Sequence, residues 1–150
     1  MQSFLVNKSI LFEQISKSRT FLIVDEDYLD DGDFRILAYF SLALKSLKLD
    51  NSLSKTRLKK IDGLSNKIED TSFYLLGQLG KNELYQKDIE GKEILEKYVF
   101  PMVAQAVKYV GGRIILIECA NKEKLISFYG NNGFVYLQED EYVQMIRFLV

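Results

Sequence analysis

The fold of this chain is decided by residues 71 to 120, which read TSFYLLGQLGKNELYQKDIEGKEILEKYVFPMVAQAVKYVGGRIILIECA. The first part, 71 to 82, has the apolar pattern of a strand. The last part, 113 to 120, is almost continuously apolar, as in a strand covered on both faces. Between them, 91 to 110 has apolar residues at helical spacing and is followed by a Gly-Gly pair. Strand, helix and strand in this order predict a parallel crossover at the centre of a sheet.

The predicted crossover helix has one apolar stripe and one proline. The stripe comprises Ile94, Leu95, Tyr98, Val99, Met102, Val103, Ala106, Val107 and Val110. Pro101 lies within the stripe and has no amide hydrogen to donate to the carbonyl of Lys97. We therefore expect a kink at Pro101.

The segments on either side of the crossover predict antiparallel strands and shorter helices. Apolar spacing predicts one amphipathic helix over residues 2–17. The other expected elements are strands at 19–26 and 34–47 joined by an acidic hairpin loop at 25–33, a short helix around 52–60, a helix at 121–131, and strands at 133–138 and 141–149. The predicted fold class is α/β: one domain over residues 1–150, with a mixed, mostly antiparallel sheet, a central parallel βαβ crossover and helices on both faces.

The composition excludes several kinds of chemistry. The chain has no histidine and a single cysteine, Cys119, so zinc sites and Ser-His-Asp catalysis are excluded and no metal is expected. A net charge of −1 gives no global attraction to nucleic acid or to an anionic membrane. The sequence has neither a signal-like start nor a long apolar run, and one cysteine suits a reducing compartment. We therefore expect a cytoplasmic protein with no membrane partner.

The first candidate site is the segment 86–92, which leads into the crossover helix. The first turn of a helix leaves several backbone amides without partners, and such a turn binds phosphate through those amides and the helix dipole. One glycine before a helix is also ordinary helix-entry chemistry. When the segment is considered alone, this structural explanation is favoured.

The second candidate site is the segment 121–137, NKEKLISFYGNNGFVYL. Asn121 suits a helix N-cap, and Gly133 suits the left-handed residue that follows a helix. Phe128 and Tyr129 could both face the core. When this segment is considered alone, packing explains every residue in it.

Considered together, the two segments have the order of a known family. An apolar strand, a phosphate-type loop, a long helix, a buried strand and then Asn-x6-Phe-Tyr-x3-Gly-Phe resemble the GNAT superfamily of acyl-CoA N-acyltransferases, over residues 19 to 138. The family's pyrophosphate loop reads Gln/Arg-x-x-Gly-x-Gly/Ala, and this chain departs from it by having Ile89 at the first glycine. Isoleucine has no low-cost access to positive φ, which implies weaker CoA binding at the same place. The residues that the resemblance assigns to acetyl-CoA are Gln78, Leu79, Gly80, Lys81, Gln86, Lys87, Asp88, Ile89, Glu90, Gly91, Lys92, Asn121 and Phe128.

The resemblance also implies a mechanism. Tyr129 matches the family's tyrosine that lies near the thioester sulfur and protonates the departing CoA thiolate. A phenol suits this role because it stays protonated at neutral pH. The attacking amine must be neutral, and Glu118 and Glu83 are the carboxylates expected nearest the cleft as candidate bases. Glu118 could equally pair with Arg113 or Lys122.

Three classes of function remain open at this point. The family's default is acetyl transfer to an amine-bearing small molecule or protein. A toxin that acetylates aminoacyl-tRNA is the second, because the leading helix, Arg19-Thr20-Phe21 and residues 38–43 resemble that branch. Only the lysine-rich segment 45–67 offers the basic patch that tRNA requires, so tRNA is not the favoured acceptor, and we expect this segment to be a solvated flap beside the acceptor cleft. The third is a CoA-binding module without turnover. A homodimer is compatible with each.

Overall fold

The structure is a computed structural model that describes residues 2–149. Its helices are α1 Gln2–Asn7, α2 Ser9–Gln14, α3 Lys55–Asp62, α4 Gly91–Ile94, α5 Phe100–Val110 and α6 Glu123–Asn131, with a π-helical turn over Leu95–Val99 and 3-10 turns over Glu26–Tyr28 and Glu83–Tyr85. Its strands are β1 Arg19–Val24, β2 Ile36–Lys48, β3 Asp70–Lys81, β4 Ile114–Cys119, β5 Val135–Glu139 and β6 Val143–Phe148. Within this range no helix has the length and apolar character needed to span a bilayer.

The six strands form one sheet in the order β1-β2-β3-β4-β6-β5. β1 pairs with β2, β4 with β6 and β5 with β6, each in antiparallel orientation. β3 and β4 are parallel, and α4, the π-helical turn and α5 connect them. The predicted crossover and the α/β fold class are therefore confirmed, as is the hairpin between the first two strands.

The described residues divide into two compact units. The first unit comprises the chain up to Ala43 together with Leu76–Val103, and the second comprises Leu44–Leu75 together with the chain from Ala104 onward. In the first unit, the rings of Phe21 and Phe40 stack across β1 and β2 with their centroids 5.1 Å apart. The core of the second unit contains Leu49, Ile61, Phe73, Ile114, Leu116, Leu137 and Ile146.

The crossover helix contains a π-helical turn directly before Pro101. The amide of Phe100 donates to the carbonyl of Leu95, five residues earlier. A π turn is one of the usual ways in which a helix accommodates a proline ring and the hydrogen bond that proline cannot make. The helix is thus irregular just before Pro101, where the sequence predicted a kink. Tyr98 lies in the π turn, where the helical register changes, and it is exposed although the sequence assigned it to the buried stripe.

The prediction of one amphipathic helix over residues 2–17 is wrong. The helix is interrupted at Lys8, and the second helix ends at Gln14. The hydroxyl of Ser9 donates to the carbonyl of Leu5 at 2.5 Å, a side-chain bond that competes with regular helix bonding. Ile10 and Leu11, which were expected to face the core, are 67% and 53% exposed.

The basic segment 45–67 is packed structure, so the expectation of a solvated flap is wrong. Its helix α3 begins at the N-cap Ser54, whose hydroxyl accepts the amide of Arg57 at 3.2 Å, and it ends at Gly63 with a φ of 94°. Ile61 is buried in the core of the second unit. Arg57 donates to the carbonyl of Tyr136 at 2.6 Å, which ties α3 to β5.

Candidate active site

The predicted pyrophosphate loop lies in the first unit and is organised around one lysine. Lys81, the last residue of β3, donates to the carbonyls of Gln86 at 2.9 Å and of Ile89 at 3.1 Å. The amide of Asp88 donates to the carbonyl of Tyr85 at 3.0 Å. These bonds close the segment between β3 and α4 into a compact turn, because two of its carbonyls share one ammonium group.

Ile89 shows how the loop forms without the glycine of the family's pattern. Its side chain is 3% exposed, and it is among the buried apolar residues of the protein. Within the described residues, the only residue other than glycine with positive φ is Ser16, so Ile89 has an ordinary backbone conformation. The loop therefore gains apolar burial at this position and does not require positive φ.

Helix α4 follows this loop and begins at Gly91, with Glu90 as its N-cap residue. The amide of Ile94 donates to the carbonyl of Glu90 at 3.1 Å, which is the first bond of the helix. Glu93 accepts a hydrogen bond from Lys97 at 2.6 Å, and this bond, together with one from the backbone of Glu90, lowers the pKa of Glu93. The amides at the start of α4 precede the first helical bond, so they are the donors that a phosphate group would use.

The other residues assigned to the cofactor in the first unit lie on β3, in the loop that follows it and on α4. Gln78 and Leu79 are half-buried, and Gly80 is buried. Lys87 and Lys92 are exposed, and Lys92 lies 3.7 Å from Glu96. Glu83, one of the two candidate bases, is an exposed residue in the 3-10 turn after β3.

Tyr129 lies in the second unit, on α6, within an aromatic cluster. The centroid of its ring is 5.0 Å from that of Phe128 and 5.5 Å from that of Phe134, and both contacts are edge-to-face. Burial, with a smaller contribution from Cys119, raises the pKa of the Tyr129 phenol to about 12. Its hydroxyl makes no hydrogen bond to any part of the chain that the structure describes. The side chain is thus a half-buried phenol whose hydroxyl has no partner within this range.

The ends of α6 are held differently from the prediction. The N-cap residue is Lys122 rather than Asn121, because Asn121 donates to the carboxylate of Glu139 on β5 at 3.1 Å. At the other end, Asn132 donates to the carbonyl of Phe128 at 2.7 Å. Asn121 therefore fixes the entry to the helix through β5 and does not cap it.

Arg147 on β6 also supports the end of α6. It donates to the carbonyl of Asn132 at 2.6 Å. Gly133 has a φ of 86°, as the sequence predicted for the residue after the helix, and a Cβ placed there would lie 2.4 Å from the Arg147 guanidinium. The positive φ favours glycine at this position, and the Arg147 guanidinium places a positive charge at the carbonyl end of the helix.

Glu118, the other candidate base, has both carboxylate oxygens occupied. Lys45 on β2 donates to one at 2.5 Å, and Gln144 on β6 donates to the other at 2.9 Å. The predicted alternative partners, Arg113 and Lys122, are not the ones it uses. The side chain of Glu118 is 19% exposed, so this carboxylate is held in a half-buried polar cluster.

Two partners of Glu118, Lys45 and Gln144, were not predicted from the sequence. The signal for Gln144 was present, because it is the polar residue of the otherwise apolar run Val143–Ile146 on a predicted strand. Nothing in the sequence indicated that Lys45 reaches Glu118, since that pairing follows from the order of the strands. Among the described residues, no cluster of acidic or cysteine side chains is suited to a metal ion.

Comparisons with solved structures identify the fold. No protein-family model matches the sequence, and no curated protein does. A Tyr-to-Phe variant of KacT has a TM-score of 0.74 at 24% identity, with 97% of this chain and 79% of that chain covered. AtaT complexed with acetyl-methionyl-tRNAfMet has a TM-score of 0.71 at 20% identity, with 95% and 78% covered. A Tyr-to-Phe variant of the AtaT toxin bound to acetyl-CoA and to the C-terminus of the antitoxin AtaR has a TM-score of 0.69 at 16% identity, with 97% and 76% covered. The chain therefore has the GNAT fold, as its motifs predicted.

Proposed function

We propose that this protein is an N-acetyltransferase that moves an acetyl group from acetyl-CoA to a primary amine. The observation that carries the proposal is Tyr129: a half-buried phenol whose pKa is raised to about 12 and whose hydroxyl has no hydrogen-bond partner among the described residues. Such a group retains its proton at every physiological pH and has that proton free to donate. The fold shared with KacT and AtaT supports the same activity.

The chemical step requires no covalent enzyme intermediate. The neutral amine attacks the thioester carbon, the carbon–sulfur bond breaks, and the sulfur takes a proton from the Tyr129 hydroxyl. The Tyr129 oxygen takes a proton from the positively charged nitrogen that has just been acylated, which is far more acidic than a phenol, so the net transfer of the proton is from nitrogen to sulfur. The products are an amide and the free thiol of CoA, and the phenol is restored. Cys119, whose pKa is raised by burial, takes no part as a nucleophile.

The first turn of α4 is the place we propose for the pyrophosphate of acetyl-CoA. The amides from Gly91 onward supply donors, and Lys81 keeps the preceding loop closed. Gln78 to Gly80 on β3 supply the strand along which the pantetheine arm would lie. The family resemblance also assigns Phe128, in the second unit, to the cofactor. The family resemblance assigns Asn121 to the cofactor as well, and its side-chain amide also donates to Glu139.

We propose that the acceptor is an amine that is already neutral near pH 7, and specifically the α-amino group of an aminoacyl-tRNA. Glu118 is held by two donors and Glu83 is exposed, so neither is a free carboxylate in a dry environment. An α-amine has a pKa of about 7.7–8.0, compared with about 10.4 for a lysine, and therefore needs little help from a base. AtaT, which shares the fold, has been solved with acetyl-methionyl-tRNAfMet. These observations favour tRNA over the small-molecule or protein acceptor that the sequence favoured.

The exposed cations of the segment 45–67 supply a second observation in favour of tRNA. Lys48, Lys55, Lys59, Lys60 and Lys67 are all exposed. Arg57 is bonded to β5, so it is unsuitable for testing phosphate contacts, since its removal would disturb the fold.

The deciding experiment measures CoA release with acetyl-CoA and a panel of acceptors: charged tRNAs, uncharged tRNA, free amino acids, polyamines and lysine peptides. Transfer to charged tRNA alone is the expected result. The double variant Lys55→Gln with Lys59→Gln should raise KM for tRNA and reduce its dependence on salt, whereas Lys8→Gln with Lys108→Gln, also exposed, should leave both unchanged. Transfer to free amines with no use of tRNA would refute tRNA as the acceptor. The absence of any acetyl transfer would refute the proposal that the protein is an acetyltransferase.

A further inference from the structure

Strand β1 lies at one edge of the sheet, and its outer side is open. The amide of Thr20 donates to Glu13 on α2 at 3.0 Å and so points away from β2. The amide of Asp25 donates to the carbonyl of Arg35, the residue before β2, at 3.0 Å. Because backbone groups alternate along a strand, the amide and carbonyl of Leu22 and the amide of Val24 face the open side.

This edge lacks the features that usually prevent strands from pairing. The stretch Thr20-Phe21-Leu22-Ile23-Val24 contains neither a charged residue nor a proline, and Leu22 is 44% exposed. Beside it lies a groove of about 330 Å³ between α1, α2 and β1, lined by Leu5, Ser9, Ile10, Glu13, Gln14, Thr20 and Leu22. An additional strand along β1 would place every second side chain over this groove.

The sequence of β1 is complementary to itself. If two copies pair in antiparallel orientation about a two-fold axis at Leu22, Arg19 of one copy lies opposite Asp25 of the other at both ends. Leu22 lies opposite Leu22, and each side chain extends the apolar groove of the other copy. Arg19 already lies 3.2 Å from Glu13, and in the pair it would lie between two carboxylates.

The backbone bonds of this pairing can be assigned. The two Leu22 residues exchange their amide and carbonyl bonds, and the amide of Val24 in each copy donates to the carbonyl of Thr20 in the other. The amide of Thr20 remains with Glu13. We propose that the protein forms a homodimer in which two β1 strands pair about Leu22 and join the two sheets into one. This inference rests on neither the cofactor nor the acceptor.

Measuring the molar mass in solution by light scattering over a range of concentrations tests the dimer. The unaltered protein should have twice the mass of one chain, and Leu22→Lys, which places two like charges directly opposite each other, should halve it. Leu44→Lys on β2, at a residue that is 74% exposed, is the matched control and should remain dimeric. A protein that is monomeric at its highest soluble concentration, or a Leu22→Lys variant that remains dimeric, would overturn the proposal.

A cysteine at the two-fold axis provides a second test that does not depend on destabilising the dimer. Directly opposed residues in an antiparallel pair have Cα atoms about 5.5 Å apart, within the range that a disulfide spans. Leu22→Cys should therefore give a reducible covalent dimer under mild oxidation, whereas Leu44→Cys should not. The native Cys119 is buried and should not cross-link in the parent protein. If both cysteine variants cross-link equally, the β1 pairing is wrong.

Discussion

Replacing Tyr129 with phenylalanine removes one oxygen atom and leaves the aromatic cluster of α6 intact. The ring contacts with Phe128 and Phe134, 5.0 and 5.5 Å between centroids, are preserved. If the hydroxyl is the proton donor, kcat should fall by about 10²–10⁴-fold, which is about 3–5 kcal/mol of barrier. The affinity for acetyl-CoA should change little, because the lost interaction belongs to the transition state.

The stability of the same variant distinguishes catalysis from packing. The hydroxyl has no partner within the described residues, so its removal breaks no hydrogen bond there. Because no hydrogen bond is lost, the melting temperature should change by no more than roughly 2–4 °C, equivalent to about 1 kcal/mol. Tyr136→Phe, at a residue that is 54% exposed on β5, is the matched control for loss of a phenol hydroxyl and should affect neither rate nor stability.

The raised pKa of Tyr129 adds a test of its environment. Because the phenol titrates near 10 when unfolded and at about 12 when folded, only the unfolded chain ionises between these values. Stability is therefore unaffected below pH 10 and is lost as the pH rises from 10 to 12, by about 1.4 kcal/mol at pH 11. Denaturant unfolding at pH 9 and 11 should show a larger loss in the parent than in Tyr129→Phe, because Tyr39 and Tyr74, whose pKa values burial also raises, contribute to both proteins. A rate within a few fold of the parent for Tyr129→Phe, with a verified acceptor, would remove Tyr129 from the mechanism.

Three further predictions concern the loop, the carboxylate and the acceptor. Gly91→Val should weaken CoA binding by crowding the first turn of α4, whereas Ala104→Val, exposed on α5, should not; equal affinities by calorimetry would refute the loop assignment. Glu118→Gln should lower the free energy of unfolding by about 1 kcal/mol after solvent screening, because Lys45 loses its partner. A large loss of kcat at unchanged stability would instead indicate that Glu118 is the general base. In a plot of log(kcat/KM) against pH, the acidic limb should have a slope of one and level off at a pKa of about 8 for an α-amine. A pKa near 10.4 would indicate a lysine-type acceptor.

The elements that were predicted well are those determined by local pattern. The crossover from β3 to β4 was visible because apolar runs, a helical stripe and a Gly-Gly pair follow one another without interruption. Helix α3 was predicted only approximately, around 52–60, although Ser54 and Gly63 are ordinary start and stop signals.

What could not be predicted depends on contacts between residues distant in sequence. The pairing of Lys45 with Glu118 spans 73 residues and exists because the strand order places them within reach. Asn121 has the chemistry of an N-cap, yet it bonds to Glu139, and no local pattern distinguishes the two outcomes.

The buried side chain of Ile89 has a consequence for the thermodynamics of ligand binding. A glycine-rich loop is ordered in large part by its ligand, and each backbone residue that becomes fixed costs roughly 1–2 kcal/mol of conformational entropy. Here the core holds Ile89 and the ammonium of Lys81 holds two carbonyls, so that ordering occurs when the chain folds. Acetyl-CoA would therefore bind to a loop that is already ordered. Its association would carry a small entropic penalty, little change in loop dynamics and little tolerance for nucleotides of a different shape.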